Sequence, residues 1–339
     1  VAVLSLALGL GVNTAIFSLF DQVLLRPMTV RNARELVMLD SPGASRGMTM
    51  GESTFSYPMY KDLRDNNQVF SGILARHPIA ATLTQPDGQG LKIEAELVSG
   101  NYFEVLGVGA HLGRTLTSWD DTTPGAHPVV VISHEFWKGQ FGSDPAIVGR
   151  TVRINGHSLE VAGVAEPGFR GIQIGFFPAF YVPLMMKREL TPTWDRLFDR
   201  RALWLHLFAC LKPGLSRQQA QVALQPYYRS VLEEELRQMT AVSGEFGKPF
   251  VSKPLLLLDG SGGIPYWRRE AEVPLKLLLA MVGLVLLIAC ANVANLLLGR
   301  AATRQKEISL RLALGAGRWY LLRQLLAESG VLAIAGGLA

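Results

Sequence analysis

A chain of 339 residues that is 49% hydrophobic, with a mean hydropathy of +0.22, is too apolar for an ordinary soluble enzyme and too polar for a wholly embedded channel. Its net charge of +5 is unevenly placed: Met28 to Glu270 is nearly balanced, with 25 Lys+Arg against 24 Asp+Glu, while Gly299 to Arg323 holds six basic residues against Glu307 alone. That local excess is a topology signal and not the basic face of a nucleic-acid binder, and two cysteines, Cys210 and Cys290, exclude a disulfide framework.

The chain opens with Val1 to Phe20, uncharged up to Asp21, Arg26 and Pro27. It starts without Met inside an apolar run, and it lacks the basic leading segment and cleavage site of a signal peptide. Residues 1–27 therefore read as a first transmembrane helix whose start is missing. Ala7, Gly11 and Ala15 recur at four-residue spacing, which sets small side chains on one helix face where a second helix can approach closely. Asn13 and Thr14, polar in mid-span, are expected to hydrogen-bond a neighbouring helix.

Residues 28–270 are expected to form a large α+β domain of two subdomains. Ser56 to Phe70 reads as a short amphipathic helix entered by Ser56 and Pro58, with Met59 and Leu63 on its apolar face. Ile79 to Thr84 and Leu91 to Val98 alternate as strands around the turn Pro86, Asp87, Gly88. A helical turn comes next at Asn101 to Leu106, stopped by Gly107. Pro128 to Ser133 is an apolar strand, with a helix from His134 to Phe141. Asn155-Gly156 between Thr151 to Ile154 and Ser158 to Val164 is the strongest hairpin signal in the chain. Gly168 to Arg201, rich in Phe, Pro and Gly, reads as loops with one strand near Phe180 to Leu184. A βαβ-like piece closes the domain: strand Trp204 to Leu211, a helix capped by Ser216 and running to about Met239, and strand Lys253 to Leu258.

Gly260 to Gly263 reads as a linker, and Tyr266, Trp267, Arg268 and Arg269 sit where an interfacial belt anchors a helix. Leu277 to Leu298 is 22 residues without a charge, beyond the roughly 18 to 20 needed to cross a bilayer. Residues 271–298 are thus the expected second span, with Asn292 and Asn295 as its polar positions, grouped with Ala7, Gly11 and Ala15 as helix-packing candidates. The basic run makes 299–320 a cytoplasmic loop and puts 28–270 outside the cytoplasm. Trp319 and Tyr320 mark re-entry, and 321–339 reads as the start of a truncated third span.

Signals of catalysis are absent. Gly260 to Gly263 lacks the Lys-Ser/Thr of a phosphate loop, no GxSxG elbow occurs, and neither cysteine stands beside a histidine. His77, His111, His127, His134, His157 and His206 show no HxH or HxxxH spacing. His127 and His134 with Asp120 and Asp121 read as surface loop residues, and Glu233, Glu234 and Glu235 as a solvated helix face. No catalytic residue, metal ligand or cofactor is assigned, and the chain is not read as an enzyme.

The run Arg304 to Ser329, RQKEISLRLALGAGRWYLLRQLLAES, resembles the FtsX-like permeases, the membrane subunits of lipoprotein-release and macrolide-exporter ATP-binding cassette systems. The matching positions are Arg304, Lys306 to Ile308, Arg311, Ala313 to Ala316 and Gln324 to Ser329. Ala7 to Pro27, Glu96 to Val108 and Gly149 to Phe169 look like the macrolide-exporter subfamily with its extracytoplasmic domain, closest to orphan permeases whose halves are duplicated. The resemblance implies a multi-pass protein of the bacterial inner membrane with four spans per unit. It further implies that a short helix at Arg304 to Gly317 rests on a separate ABC-type ATPase subunit, with Arg304, Lys306, Glu307, Arg311, Gly315 and Arg318 as the coupling residues. A second permease copy or duplicated half, the lipid bilayer and a periplasmic protein are the other partners it implies; nucleic acid is not among them. A transmembrane sensor with an extracytoplasmic ligand domain is the alternative. Such a sensor would continue past Leu298 into a long cytoplasmic signalling helix, whereas this chain turns back into lipid from Trp319.

Overall fold

The computed structural model describes residues 2–21, 28, 30, 31, 33–239, 244–264 and 266–303, with Trp319, Arg323 and Ala327. The chain divides into two units, Val1–Arg26 with Tyr266–Ala339, and Pro27–Pro265. Helix α1 (Ala2–Phe20) opens the first unit.

The second unit is built on twelve strands: β1 (Leu36–Asp40), β2 (Met48–Thr49), β3 (Phe70–Thr84), β4 (Gly90–Val98), β5 (Ala110–Gly113), β6 (Val129–Ile132), β7 (Thr151–Ile154), β8 (His157–Ala165), β9 (Phe180–Pro183), β10 (Ala202–Leu203), β11 (His206–Leu211) and β12 (Leu256–Asp259). Ten of them form one mixed sheet in the order β12-β1-β11-β3-β4-β9-β6-β8-β5, with β7 pairing both β3 and β8. Its helices are α2 (Tyr57–Asn66), α3 (Tyr102–Leu106), α4 (His134–Gln140), α5 (Lys187–Leu190), α6 (Arg217–Gln238) and α7 (Gly244–Val251).

Two split βαβ units interleave here. β1-α2-β3 leaves a gap that β11 fills, and β11-α6-β12 leaves a gap that β1 fills; every one of these contacts is antiparallel. Strands from the two ends of the segment therefore alternate within the unit Pro27–Pro265.

Local chemistry explains most of the elements. The Ser56 hydroxyl accepts from the Met59 N–H at the start of α2, and Ser216 with Gln219 closes a capping box on α6. Asn155 (φ 49°) and Gly156 (φ 84°) make the two-residue turn between β7 and β8. β3 begins at Phe70, well before Ile79, because Gly72, Arg76 and Pro78 mask its alternation. β1, β5 and α7 carry no local signal strong enough to mark them in the sequence. Period-2 alternation sorts the interior into two layers. Ile73, Ala75, Leu97 and Val182 pack with Tyr60, Leu63, Leu224 and Tyr228 of α2 and α6. Leu74, Val98, Tyr181 and Phe208 pack with Tyr102 and Phe103 of α3 and with Phe169.

Three sequence expectations change. Gly260 to Gly263 is no loose linker: a Cβ at Gly260 would meet the Leu36 carbonyl oxygen at 2.8 Å, and one at Gly263 the Ile172 carbonyl oxygen at 2.4 Å. Asp120 and Asp121 are 2% and 8% exposed rather than at the surface. Glu235 is buried at 5% exposed, because it sits one residue past the solvated pair Glu233 and Glu234 and turns toward Arg200.

Helix α8 (Tyr266–Thr303) belongs to the first unit, is continuous over 38 residues and packs on α1. Its stretch Glu270–Asn295 is long and apolar enough to cross a membrane, one such helix among the described residues; in α1 the corresponding run is the shorter Gly11–Phe20. Leu277, Met281, Leu284 and Ile288 on α8 are exposed, which an apolar solvent tolerates and water does not.

Candidate functional site

The coupling residues expected from the sequence, Arg304, Lys306, Glu307, Arg311, Gly315 and Arg318, lie outside the described residues. Of the helix-packing positions, Ala7 is half-buried, while Gly11, Ala15, Asn292 and Asn295 are exposed. A Cβ at Gly11 would meet nothing within 4 Å.

What the sequence does not disclose is a buried ion pair in the middle of the sheet. Arg76 on β3 and Glu96 on β4 both have fully buried side chains and pair through the Arg76 Nε–H. In β4, Glu94 and Glu96 alternate with Ile93, Ala95 and Leu97 and so read as a wet face; the second layer covers Glu96 instead. Tyr102 Oη donates to Glu96 Oε2 at 3.3 Å. Arg76 Nη1 donates to Gln173 Oε1 at 2.6 Å, and the guanidinium stands over the Phe176 ring at 5.6 Å. Burial pushes the Glu96 carboxyl up, with the Arg76 charge opposing that shift. The pair thus reaches out of the core and fastens the segment 166–179 to the sheet.

That segment is further set by its own backbone. Glu94 Oε2 accepts from the Phe177 N–H at 3.0 Å, and Ala179 N–H donates to the Glu94 carbonyl at 2.8 Å. Gly171 (φ 81°) lies where a Cβ would be 3.3 Å from Pro178 Cδ. Between the segment and the start of α4 runs a groove of about 380 Å³, lined by Ser133, Glu135, Phe136, Phe169, Arg170, Phe177, Pro178 and Ala179. Its volume falls within the range of small-molecule sites, ~300–1,000 Å³.

Other buried titratable groups mark the same domain. Lys187 Nζ stands 3.8 Å from the Trp194 ring centroid and 5.0 Å from that of Trp204, and burial brings its pKa down to about 8. His77 Nδ1–H donates to the Trp204 carbonyl at 2.8 Å, and burial lowers its pKa to about 4. Asp121 accepts from the Gly100 and Met185 N–H groups, and burial lifts it to about 7. Arg200 Nη1 bridges Asp62 at 2.7 Å and Glu235 at 3.3 Å, and Glu235 is likewise lifted by burial to about 7. His134 stacks edge-on with His111, centroids 5.1 Å apart. Among the described residues no three His, Cys, Asp or Glu side chains gather as a metal site. The groove sets apolar rings beside Ser133, Glu135 and Arg170, an arrangement that suits binding.

Comparison with known families decides the class of the chain. Residues 1–227 match the family described as MacB-like periplasmic core domain, and residues 279–339 match the FtsX-like permease C-terminal family. The chain belongs to the MacB-like periplasmic core domain family. It is accordingly a membrane protein with an extracytoplasmic domain. YknZ of Bacillus subtilis, named as an uncharacterized ABC transporter permease, is 26% identical over 241 residues, 71% of this chain and 53% of that protein. The macrolide export ATP-binding/permease protein MacB of Salmonella typhi is 23% identical over 334 residues, 90% of this chain and 45% of that protein. The chain spans about half the length of these curated relatives. The periplasmic region of MacB from Actinobacillus actinomycetemcomitans is 14% identical, with a TM-score of 0.45 over 62% of this chain and 98% of that structure. A domain of a putative permease from Porphyromonas gingivalis gives 0.47 over 70% and 95%, also at 14% identity.

Proposed function

We propose that this MacB-like chain is the permease subunit of an ABC-type export or mechanotransmission system, relaying the motions of a cytoplasmic ATPase subunit to its extracytoplasmic domain. The observation that carries this reading is the order of the two family matches, periplasmic core first and FtsX-like permease second, joined through the apolar helix α8. Relatives named as an ABC transporter permease and as a macrolide export ATP-binding/permease protein support it.

In this reading 1–27, 271–298 and 321–339 are spans of a multi-pass inner-membrane protein, 28–270 is extracytoplasmic, and 299–320 is the coupling loop. ATP hydrolysis belongs to the ATPase subunit. Ala7, Gly11, Ala15, Asn292 and Asn295 face a second permease copy or a duplicated half, and a periplasmic protein is a further partner. The FtsX-like match over 279–339 favours a permease over a transmembrane sensor.

Glu307 is the one acid in a basic loop and, with Arg304 and Arg311, makes charge-assisted bonds to the ATPase. Glu307→Lys is expected to weaken co-purification of an ATP-binding partner with the full-length protein by about tenfold or more, with a matching loss of coupled ATP hydrolysis. Unchanged association and hydrolysis overturn the coupling role.

A further inference from the structure

We infer that the groove between α4 and the segment 166–179 binds a small zwitterion with an aromatic body, the chemistry of a free aromatic amino acid. Three rings form its apolar walls: Phe136, Phe169 and Phe177. Phe177 is 58% exposed although its backbone is held by the Glu94 carboxylate, so the ring is presented to solvent by a fixed segment rather than left there by a loose one. A ligand ring set edge-on between such walls covers that surface and gains the geometry aromatic pairs prefer.

The polar groups point to the rest of the ligand. Ser133 is only 6% exposed and stands at the N-cap of α4, yet its hydroxyl does not cap the helix and makes no hydrogen bond among the described residues. Lining the groove, that hydroxyl can donate to or accept from a polar group of a ligand. Arg170 and Glu135 carry opposite charges into the same lining. Arg170 lies over the Phe177 ring at 5.8 Å and has no carboxylate in ion-pair reach among the described residues. Among the described residues Glu135 has no Lys or Arg in ion-pair reach, and the His134 Nδ1 stands 3.9 Å from its carboxylate. An anion meets Glu135 unfavourably, a cation meets Arg170 unfavourably, and an uncharged arene leaves both unused; a zwitterion satisfies each in turn. None of these contacts depends on the chain being a permease.

The test is a fluorine NMR titration of the full-length protein in lipid nanodiscs with para-fluoro-L-phenylalanine, beside its N-acetyl derivative and its amide, which keep one charge each. The zwitterion is expected to bind with a dissociation constant on the order of 1 mM or tighter, and each single-charge analogue to bind about threefold to tenfold more weakly. Arg170→Gln should abolish the preference for the zwitterion over the amide, Glu135→Gln its preference over the N-acetyl form, and Phe177→Ala should weaken all three by about tenfold. Both charged positions and Phe177 are exposed, so these variants keep the fold. No response up to about 10 mM, equal responses for all three compounds, or titrations that Phe177→Ala leaves unchanged would each overturn the inference.

Discussion

At Arg76 burial and pairing work against each other. Taking a guanidinium and a carboxylate out of water is costly, and their attraction with the bonds to Tyr102 and Gln173 offsets that cost only while both partners remain. Arg76→Met strands the Glu96 carboxylate and is expected to destabilise the domain by about 3 to 5 kcal/mol, whereas Arg76→Met combined with Glu96→Leu should cost less than the single change. Denaturant unfolding of the native chain and both variants checks this, and hydrogen exchange should show 166–179 losing protection in both variants. Glu235 supplies a second test. Its folded-state pKa of about 7 lies above its ordinary 4.5 because burial disfavours the charge, with Arg200 and Lys253 opposing and Asp62 adding to the rise. The stability it contributes is therefore present below pH 4.5 and lost as pH rises toward 7. Glu235→Gln stays neutral, so the native chain should lose on the order of 1 to 3 kcal/mol relative to the variant over that window. Unfolding midpoints of both at about pH 5 and about pH 8 decide it; parallel midpoints contradict the assignment.

Among the elements, β5 depends on an absent side chain. Gly113 of β5 faces Gly163 of β8, and a Cβ on Gly163 would lie 2.4 Å from the Arg114 carbonyl oxygen and 2.5 Å from that of Leu112. Backbone cannot give way as a side-chain tip can, so Gly163→Ala should detach β5 and cost about 2 kcal/mol or more. Loss of amide protection at Ala110–Gly113 with the β7-β8 turn intact is the expected signature. The elements legible in the sequence share a feature: their signal is local. Ser56, Ser216, Gly107 and Asn155-Gly156 each act on their own backbone through a cap or a turn, and α2, α3, α6 and the β7-β8 hairpin stand where those residues say. β1 and β5 were not legible, since a short strand in a mixed sheet is decided by neighbours distant in sequence; β1 pairs β11 and β12.

For the molecule as a whole, the division into an apolar helical unit and an α+β unit comes directly from charge and hydropathy. The groove did not. Its lining comes from Ser133 to Phe136 and from Phe169 to Ala179, segments that read as a helix start and as featureless loop, and only the sheet brings them together. The positions proposed for coupling, Arg304 to Arg318, rest on resemblance alone and lie outside the described residues. One arrangement in the sheet bears on how the α+β unit yields to load. Val37 at the head of β1 lies opposite Asp259 at the tail of β12, and the Met28 N–H donates to the Ser261 carbonyl at 2.9 Å, so the strands by which the polypeptide enters and leaves are neighbours. Tugged apart, these two leads would unzip one rung after another from the sheet margin; drawn the same way together, they would carry the ten-stranded slab as a rigid paddle.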